Sequence, residues 1–138
     1  MLGLMTEHPF THTIEVRFRD CDAQGHVNHA VFFTYLEQCR LMFWRELTGG
    51  MASPLTRVIV ARAECDYRSP AFFGDVLDVR LAVAAIGRSS FTLTYEIEHS
   101  TARHKVADGR TVMVAYDFAI GRSIPVPAET RALLEKYL

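Results

Sequence analysis

The 138-residue chain lacks an excess of either charge, since 15 Lys and Arg residues are balanced by 16 Asp and Glu residues. It has no long basic run and no cationic amphipathic segment, which argues against a nucleic-acid partner and against a membrane surface. Runs of about 18 apolar residues, the length that spans a membrane, are also missing. The composition, 49% hydrophobic and 22% charged, is typical of a globular protein, and the length predicts a single domain over residues 1–138.

Cysteine is scarce as well. The three cysteines, Cys21, Cys39 and Cys65, have no CxxC spacing, which disfavours a disulfide framework or a structural zinc site and favours a reducing compartment. The N-terminal stretch MLGLMTEHPF has no basic start and reaches Glu7 and His8 too early for a signal peptide. We therefore expect a cytoplasmic protein that is not exported.

Hydrophobic periodicity predicts the secondary structure. Thr11–Arg19 alternates apolar and polar residues, as a strand with one buried face does. Ala30–Leu47 has no Gly or Pro and is apolar on nearly all sides, which predicts a long, mostly buried helix that ends at Thr48-Gly49-Gly50. Further strands are predicted at Arg57–Tyr67, Val76–Ile86, Ser90–His99 and Val106–Ile120. Asp108-Gly109 indicates a bulge in the last strand, and Pro127–Leu138 is compatible with a short terminal helix.

The order of these elements predicts an α+β fold in which a five-stranded antiparallel sheet covers one long central helix. A single helix cannot cover both faces of a sheet. Several strands carry Thr, Ala and Val on their nominally polar side, so we expect part of the second face or an edge to be buried in a homo-oligomer.

The segment DCDAQGHVNH, residues 20–29, lies between the first strand and the helix. A helix N-terminus presents unpaired N–H groups and the positive end of a dipole, so it can stabilise an oxyanion. Asp20 and Asp22 precede the helix by a few residues, and in an extended chain they would project to the same side. A carboxylate there can act as base or nucleophile, which is the minimum equipment for hydrolysing an activated acyl group.

Structural roles are the alternative for these residues. Asn28 is expected to be the N-cap of the helix, and Gly25 can serve only to give the turn a positive φ. His26 and His29 lie three residues apart and close to Asp22, as metal ligands often do. The segment offers no third strong ligand, so we predict no metal site.

The run FRDCDAQGHVNHAVFFTYLEQCR, residues 18–40, resembles the hotdog-fold acyl-CoA thioesterases of the 4-hydroxybenzoyl-CoA thioesterase family. The hallmark is an acidic residue followed by Gly, Val and Asn that lead into a central helix. Residues 64–71 (ECDYRSPA) with 73–75 (FGD), and residues 87–91 (GRSSF), are similar to two later strand connections of that family. The resemblance implies a hotdog fold, hydrolysis of an acyl-CoA to a free acid and coenzyme A, and no cofactor beyond the coenzyme A of the substrate.

The resemblance also implies roles for single residues. Asp22 matches the catalytic carboxylate, and His29 matches the position whose backbone N–H polarises the thioester carbonyl. The implied substrate-lining positions are Gly25, His26, Asn28 and Phe32, the last of which is Tyr in many relatives. The implied coenzyme A contacts are Arg88, Ser89 and Ser90, donated to the active site of a neighbouring subunit. Active sites at the subunit interface of a dimer or tetramer follow from this.

Other interpretations remain open at this point. A hotdog hydratase or dehydratase would act on carbon–carbon bonds of acyl thioesters, although GHVNH lacks the Pro-rich continuation typical of dehydratases. A protein that binds acyl-CoA without turnover is the second alternative, because a fold does not fix a function. Within the helix, Glu37 is expected to pair with Arg40 at i+3, with a role at the interface or as a second acid as the alternative.

Overall fold

A computed structural model describes residues 9–50 and 57–138 of the chain, so the expectation about the first eight residues lies outside the described part. The strands are β1 (Phe10–Glu15), β2 (Val58–Tyr67), β3 (Val76–Ile86), β4 (Ser90–His99), β5 (Lys105–Asp117) and β6 (Arg122–Ser123). The helices are α1 (Val31–Leu47) and α2 (Ala128–Glu135). The sheet is antiparallel in the order β1-β3-β4-β5-β2, and β6 pairs with β5.

The α+β class and the antiparallel sheet are as predicted. A fold with one long helix is not confirmed, because α2 forms within Pro127–Leu138, the segment compatible with a short terminal helix, and β6 adds a sixth strand to the five expected. The first strand ends at Glu15 rather than at Arg19. A 3₁₀ turn at Phe18–Asp20 takes its place, because the Asp20 carboxylate accepts the backbone N–H of Arg17 at 3.0 Å and turns the chain. In the described segments, no helix is both long and apolar enough to cross a membrane.

Helix α1 lies on one face of the sheet and buries one of its own sides. The buried side chains are Phe32, Tyr35, Leu36, Cys39, Arg40, Phe43 and Trp44. On the other side Phe33 and Leu41 are 37% and 56% exposed. The prediction of a helix buried on most sides is therefore wrong for a single copy of the chain, because the sheet reaches only one of its faces.

The inner face of the sheet contacts α1 through the alternating residues Leu77, Val79, Leu81, Phe91, Leu93, Tyr95 and Ile97 of β3 and β4. The buried residues of β5 are Val106, Ala107, Gly109, Thr111, Met113 and Ala115. The alternating series from Ala107 to Ala115 forms the inner face, so Val112 and Val114 lie on the outer face. Strand β2 is an edge strand, paired only with β5 among the described residues, and most of its side chains are exposed.

Gly109 is needed for a close approach between sheet and helix. A Cβ at this position would lie 2.7 Å from Cδ1 of Leu36. The predicted bulge at Asp108-Gly109 is wrong, because the pairing with both neighbouring strands is regular there. The register shifts lie elsewhere, at Val60/Arg62, Val83/Ala85 and Ile97/Glu98.

The predicted ion pair within α1 does not form. Glu37 is exposed, whereas Arg40 is buried and donates a hydrogen bond to the Tyr95 hydroxyl at 3.3 Å. Tyr95 in turn shares a hydrogen bond of 2.8 Å with the Thr111 hydroxyl. Arg40 thus uses its hydrogen-bonding capacity on the inner face of the sheet instead of on its own helix.

Candidate active site

The loop between the 3₁₀ turn and α1 is held by its own backbone hydrogen bonds. The N–H of Asp22 donates to the carbonyl of His26 at 3.0 Å, and the N–H of Gly25 donates to the carbonyl of Asp22 at 3.0 Å. Gly25 has a φ of +88°, a value that glycine adopts without strain. The N–H of Val27 donates to the carbonyl of Ala71 at 2.9 Å, which ties the loop to the chain after β2.

Asp20 is a buried structural carboxylate. Its Oδ1 accepts a hydrogen bond from Nη2 of Arg17 at 2.9 Å, and its Oδ2 accepts the Tyr35 hydroxyl at 2.8 Å. Burial by itself would raise the pKa of Asp20, but the hydrogen bonds from Arg17 and Tyr35 outweigh burial and lower it. The same contacts act on the phenol, because burial, followed by the bond to Asp20, raises the pKa of Tyr35 well above its usual range. All the hydrogen bonds to this carboxylate favour its ionised form.

Asp22 lies in a different environment, partly exposed on a cleft of about 490 Å³. Its Oδ1 accepts the backbone N–H of Gln24 at 2.9 Å, and its Oδ2 has no hydrogen-bond partner within residues 9–50 and 57–138. The two acids do not share a site, because Asp20 ends the 3₁₀ turn and Arg17 and Tyr35 bind its carboxylate in the interior, although Cys21 between the two acids is extended. Asp22 is thus the carboxylate available to a substrate.

The start of α1 offers one free donor to the same cleft. The N–H of Ala30 donates to Oδ1 of Asn28 at 2.9 Å, and the N–H of Val31 donates to the carbonyl of Asn28 at 2.9 Å. The N–H of His29 donates to no acceptor in the part of the chain that the structure describes. The N-cap residue is Ala30 rather than the predicted Asn28, although the Asn28 side chain still binds an N–H of the first turn. A donor at the positive end of a 17-residue helix is suited to an oxyanion.

The structure brings four of the predicted residues to the cleft. Asp22, His26, His29 and Phe32 line it, while Gly25 and Asn28 shape the loop and the helix start beside it. The imidazole of His26 is held near its own backbone, with Nδ1 3.3 Å from the carbonyl oxygen of Val27. Among the described residues, no three His, Cys, Asp or Glu side chains are grouped closely enough to hold a metal ion.

The opposite wall of the cleft comes from residues for which the sequence pattern predicts no role. They follow or end β2, namely Tyr67, Arg68, Ser69 and Pro70. Tyr67 packs its ring against Phe32 with 5.4 Å between ring centroids. The resemblance at residues 64–71 points to this connection, but periodicity along the chain carries no sign that the end of β2 meets the start of α1.

The predicted coenzyme A turn lies far from the cleft within one copy of the chain. Tyr67 pairs with Ala107 on β5, whereas Ser90 pairs with Val114, seven positions further along that strand. At about 3.3 Å per residue, this separation is about 23 Å. The turn itself is fixed, since the carbonyls of Arg88 and Ser89 accept the N–H groups of Val126 and Ala115 at 2.8 and 2.9 Å. Arg88, Ser89 and Ser90 therefore do not complete the cleft of their own chain.

Comparison with known proteins agrees with this geometry. The family model of the thioesterase-like superfamily matches residues 16–134. A thioesterase of Thermus thermophilus, solved in complex with coenzyme A and zinc, is 31% identical with a TM-score of 0.82, and the match covers 94% of each chain. The long-chain acyl-CoA thioesterase FadM of Escherichia coli is 26% identical over 89% of this chain and 95% of its own length. The 1,4-dihydroxy-2-naphthoyl-CoA hydrolase of Synechococcus elongatus is 25% identical over 95% of this chain and 97% of its own.

The fold, the matched family model and the relatives identify a thioester hydrolase of the hotdog type. The chain belongs to the thioesterase-like superfamily. The family resemblance found at residues 18–40 is thereby confirmed.

Proposed function

We propose that the protein hydrolyses an acyl-CoA thioester to a free acid and coenzyme A. Asp22 acts as the base or nucleophile, and the N–H of His29 polarises the thioester carbonyl. The observation that carries this proposal is that Asp22 and His29 line one cleft and that each has a hydrogen-bonding atom without a partner among the described residues. Two relatives support an acyl-CoA as the substrate, since one is named a long-chain acyl-CoA thioesterase and the other a 1,4-dihydroxy-2-naphthoyl-CoA hydrolase.

Two routes fit this arrangement. In the first, Asp22 takes a proton from water, and the hydroxide adds to the carbonyl carbon. In the second, a carboxylate oxygen of Asp22 attacks that carbon and forms a mixed anhydride, which water then hydrolyses. Both routes develop negative charge on the carbonyl oxygen, which the N–H of His29 and the helix dipole stabilise. In the first route the C–S bond breaks as the tetrahedral adduct collapses, and Asp22 gives its proton to the departing thiolate of coenzyme A. In the second the C–S bond breaks as the anhydride forms, the thiolate takes a proton from water, and hydrolysis of the anhydride regenerates the Asp22 carboxylate.

The acyl group occupies the part of the cleft beside the rings of Phe32 and Tyr67. A volume of about 490 Å³ and an aromatic wall suit a short or medium chain or an aromatic acyl group. His26 contributes polar atoms at the loop side of this space, while Asn28 and Gly25 shape the helix start and the loop beside it.

A second copy of the chain completes the site in this proposal. Within one copy the turn of Arg88, Ser89 and Ser90 lies about 23 Å along the sheet from the cleft, so it can bind coenzyme A only in a neighbouring subunit. The exposed side chains of Phe33 and Leu41 give α1 an apolar surface that another subunit can cover. We therefore propose a homodimer or homotetramer with active sites at the interface, and a cytoplasmic location in keeping with the three free cysteines.

Release of free thiol from a panel of short, long and aromatic acyl-CoAs tests the proposal. Turnover of at least one class, saturating with substrate, is the expected result. Absence of thiol release together with loss of the double-bond absorbance of an enoyl-CoA would instead support a hydratase. Tight binding of acyl-CoA without any product would support a binding protein, and either result would contradict hydrolysis.

A further inference from the structure

The carbonyl oxygen of His29 is bonded from across the cleft. Tyr67, the last residue of β2, donates its hydroxyl to this oxygen at 2.8 Å. Its ring lies edge-on to Phe32, with the ring centroids 5.4 Å apart, and to the His29 imidazole at 6.3 Å. Burial, followed by the neighbouring Cys65 thiol, raises the pKa of Tyr67, so the phenol keeps its proton at neutral pH. An edge strand of the sheet is thus joined to the residue that carries the free N–H.

Two peptide groups flank the α-carbon of His29, and the first is held by the helix. The carbonyl of Asn28 accepts the N–H of Val31 at 2.9 Å. In a planar trans peptide the carbonyl and the N–H point in opposite directions. The bond to Val31 therefore directs the N–H of His29 away from the first turn of α1.

The second peptide, between His29 and Ala30, is held at both ends by side chains. Its N–H donates to Oδ1 of Asn28 at 2.9 Å, and its carbonyl accepts the Tyr67 hydroxyl at 2.8 Å. The only helical bond to the same carbonyl in the described chain comes from the N–H of Phe32 and is longer, at 3.3 Å. Because Ala30 has no capping side chain, the conformation of His29 depends on Asn28 and Tyr67.

We propose that Tyr67 is a positioning residue, whose hydroxyl holds the backbone of His29 so that its N–H stays aimed at the thioester carbonyl oxygen. The inference rests on the proposed hydrolysis. An oxyanion donor is effective only when it lies about 2.7–3.1 Å from the oxygen on which charge develops. The peptide that Tyr67 holds and the peptide that carries the N–H meet at the α-carbon of His29. Loosening the first shifts His29 and disturbs this geometry, and the loss affects the transition state more than the bound substrate. The hydroxyl of Tyr67 therefore acts on turnover through His29, whereas its ring borders the acyl group.

The variant Tyr67→Phe tests the inference, because it removes the hydroxyl and keeps the ring that packs on Phe32. We expect kcat to fall about tenfold and KM to stay within about twofold. Tyr137→Phe is the matched control, since its hydroxyl donates a bond of the same 2.8 Å length to Glu46 on the far end of α1. We expect its kcat and KM to equal those of the wild type.

A second variant keeps the test decisive if Tyr67→Phe unfolds at the assay temperature. Asn28→Ala releases the other end of the same peptide, and we expect the same fall in kcat with little change in KM. The double variant is expected to lose less than the product of the two single losses, because both side chains hold one peptide. A purely structural role would lower melting temperatures without this split.

The outcomes separate the inference from the function on which it rests. An unchanged kcat in Tyr67→Phe, in a protein whose thiol release depends on Asp22, would overturn the role of Tyr67 and leave the hydrolase standing. A KM raised tenfold at unchanged kcat would also overturn it, because Tyr67 would then bind substrate. Lack of thiol release by the wild type with every acyl-CoA would overturn both proposals.

Discussion

Asp20 and Asp22, separated by a single cysteine, lie in two unlike regions of the molecule. Around Asp20 the chain supplies a guanidinium, a buried phenol and a backbone N–H, and only 2% of the residue is exposed. Around Asp22 it supplies one backbone N–H and an open cleft. The same functional group becomes a structural anchor in the first region and a candidate reactive group in the second.

The difference follows from saturation of hydrogen-bond acceptors. An ionised carboxylate has about four acceptor positions, and those of Asp20 are directed at partners in its own chain. The carboxylate of Asp22 retains an oxygen that can face water or a carbonyl carbon. The turn at Phe18–Asp20 separates the two regions, because it rotates one side chain into the core before the chain reaches the loop.

Replacing Asp22 removes the candidate reactive carboxylate, and we expect it to have the largest effect, a loss of turnover. Asp22→Asn removes the base or nucleophile and keeps the bond to the N–H of Gln24. We expect turnover to fall by about 10²–10⁴, with a melting temperature close to that of the wild type. Thiol release at equal folded concentration measures this, and activity retained within tenfold would rule out Asp22 as the reactive carboxylate.

Replacing Asp20 removes the buried structural carboxylate, and we expect it to lower stability rather than turnover. Asp20→Asn leaves the Arg17 guanidinium and the Tyr35 hydroxyl without a charged acceptor, so we expect the free energy of unfolding to fall by about 2 kcal/mol. Urea denaturation measures the change, and the folded fraction should keep most of its turnover. Glu64→Gln is the control, because its 3.5 Å ion pair with Arg62 is exposed and contributes about 0–1 kcal/mol. Equal losses in both variants would contradict a special role for Asp20.

The variant Tyr35→Phe removes one hydrogen-bond partner of Asp20 and tests how much that partner contributes to stability. The ring keeps its packing against Phe32, at 5.7 Å between centroids, while the 2.8 Å hydrogen bond is lost. We expect a loss of about 1 kcal/mol in urea denaturation. Combined with Asp20→Asn, the loss should be smaller than the sum of the two, and strict additivity would show that the two groups do not interact.

A smaller effect is expected in how the free energy of unfolding depends on pH. The pKa of Asp20 is lowered in the folded protein, so its contribution to stability is present above the unfolded-state pKa of about 4. It is lost as pH falls from there through the folded-state value. We expect the free energy of unfolding to decline more steeply below about pH 4 in the wild type than in Asp20→Asn. Parallel curves from urea denaturation across the acid range would contradict the lowered pKa.

Local periodicity predicts where most of the strands and helices lie, but it does not predict how they pack against one another. Strands β3 and β4 and helix α1 were predictable nearly to their ends, because each has one side that must be buried. On β5 the inner face is formed by Gly109, Thr111, Met113 and Ala115, and Gly109 leaves room for Leu36 of α1. The size of a side chain cannot reveal how closely a helix will approach it.

The candidate site was predictable where it is continuous in sequence. Asp22, His26 and His29 lie in one loop, and a helix N-terminus identifies that loop from local pattern alone. Tyr67 was missed because it lies 38 residues from its partner His29, and only the sheet topology brings the two together. Arg88 was assigned by resemblance, and its relation to the cleft involves a second copy of the chain.

Gly109 lies under α1, outside the cleft, but it affects the position of the helix whose start lines the cleft. Leu36 rests on the bare backbone of this residue and is itself only 1% exposed, so a methyl group on Gly109 would force the Leu36 side chain to shift. Leu36 lies on α1, about two turns after His29 at the helix start. The absence of a side chain at Gly109 therefore sets the distance between α1 and the sheet, and with it the position of the helix start at the cleft. Enzyme redesign aimed at larger acyl groups would adjust the cleft from beneath the helix, at a residue that no substrate touches.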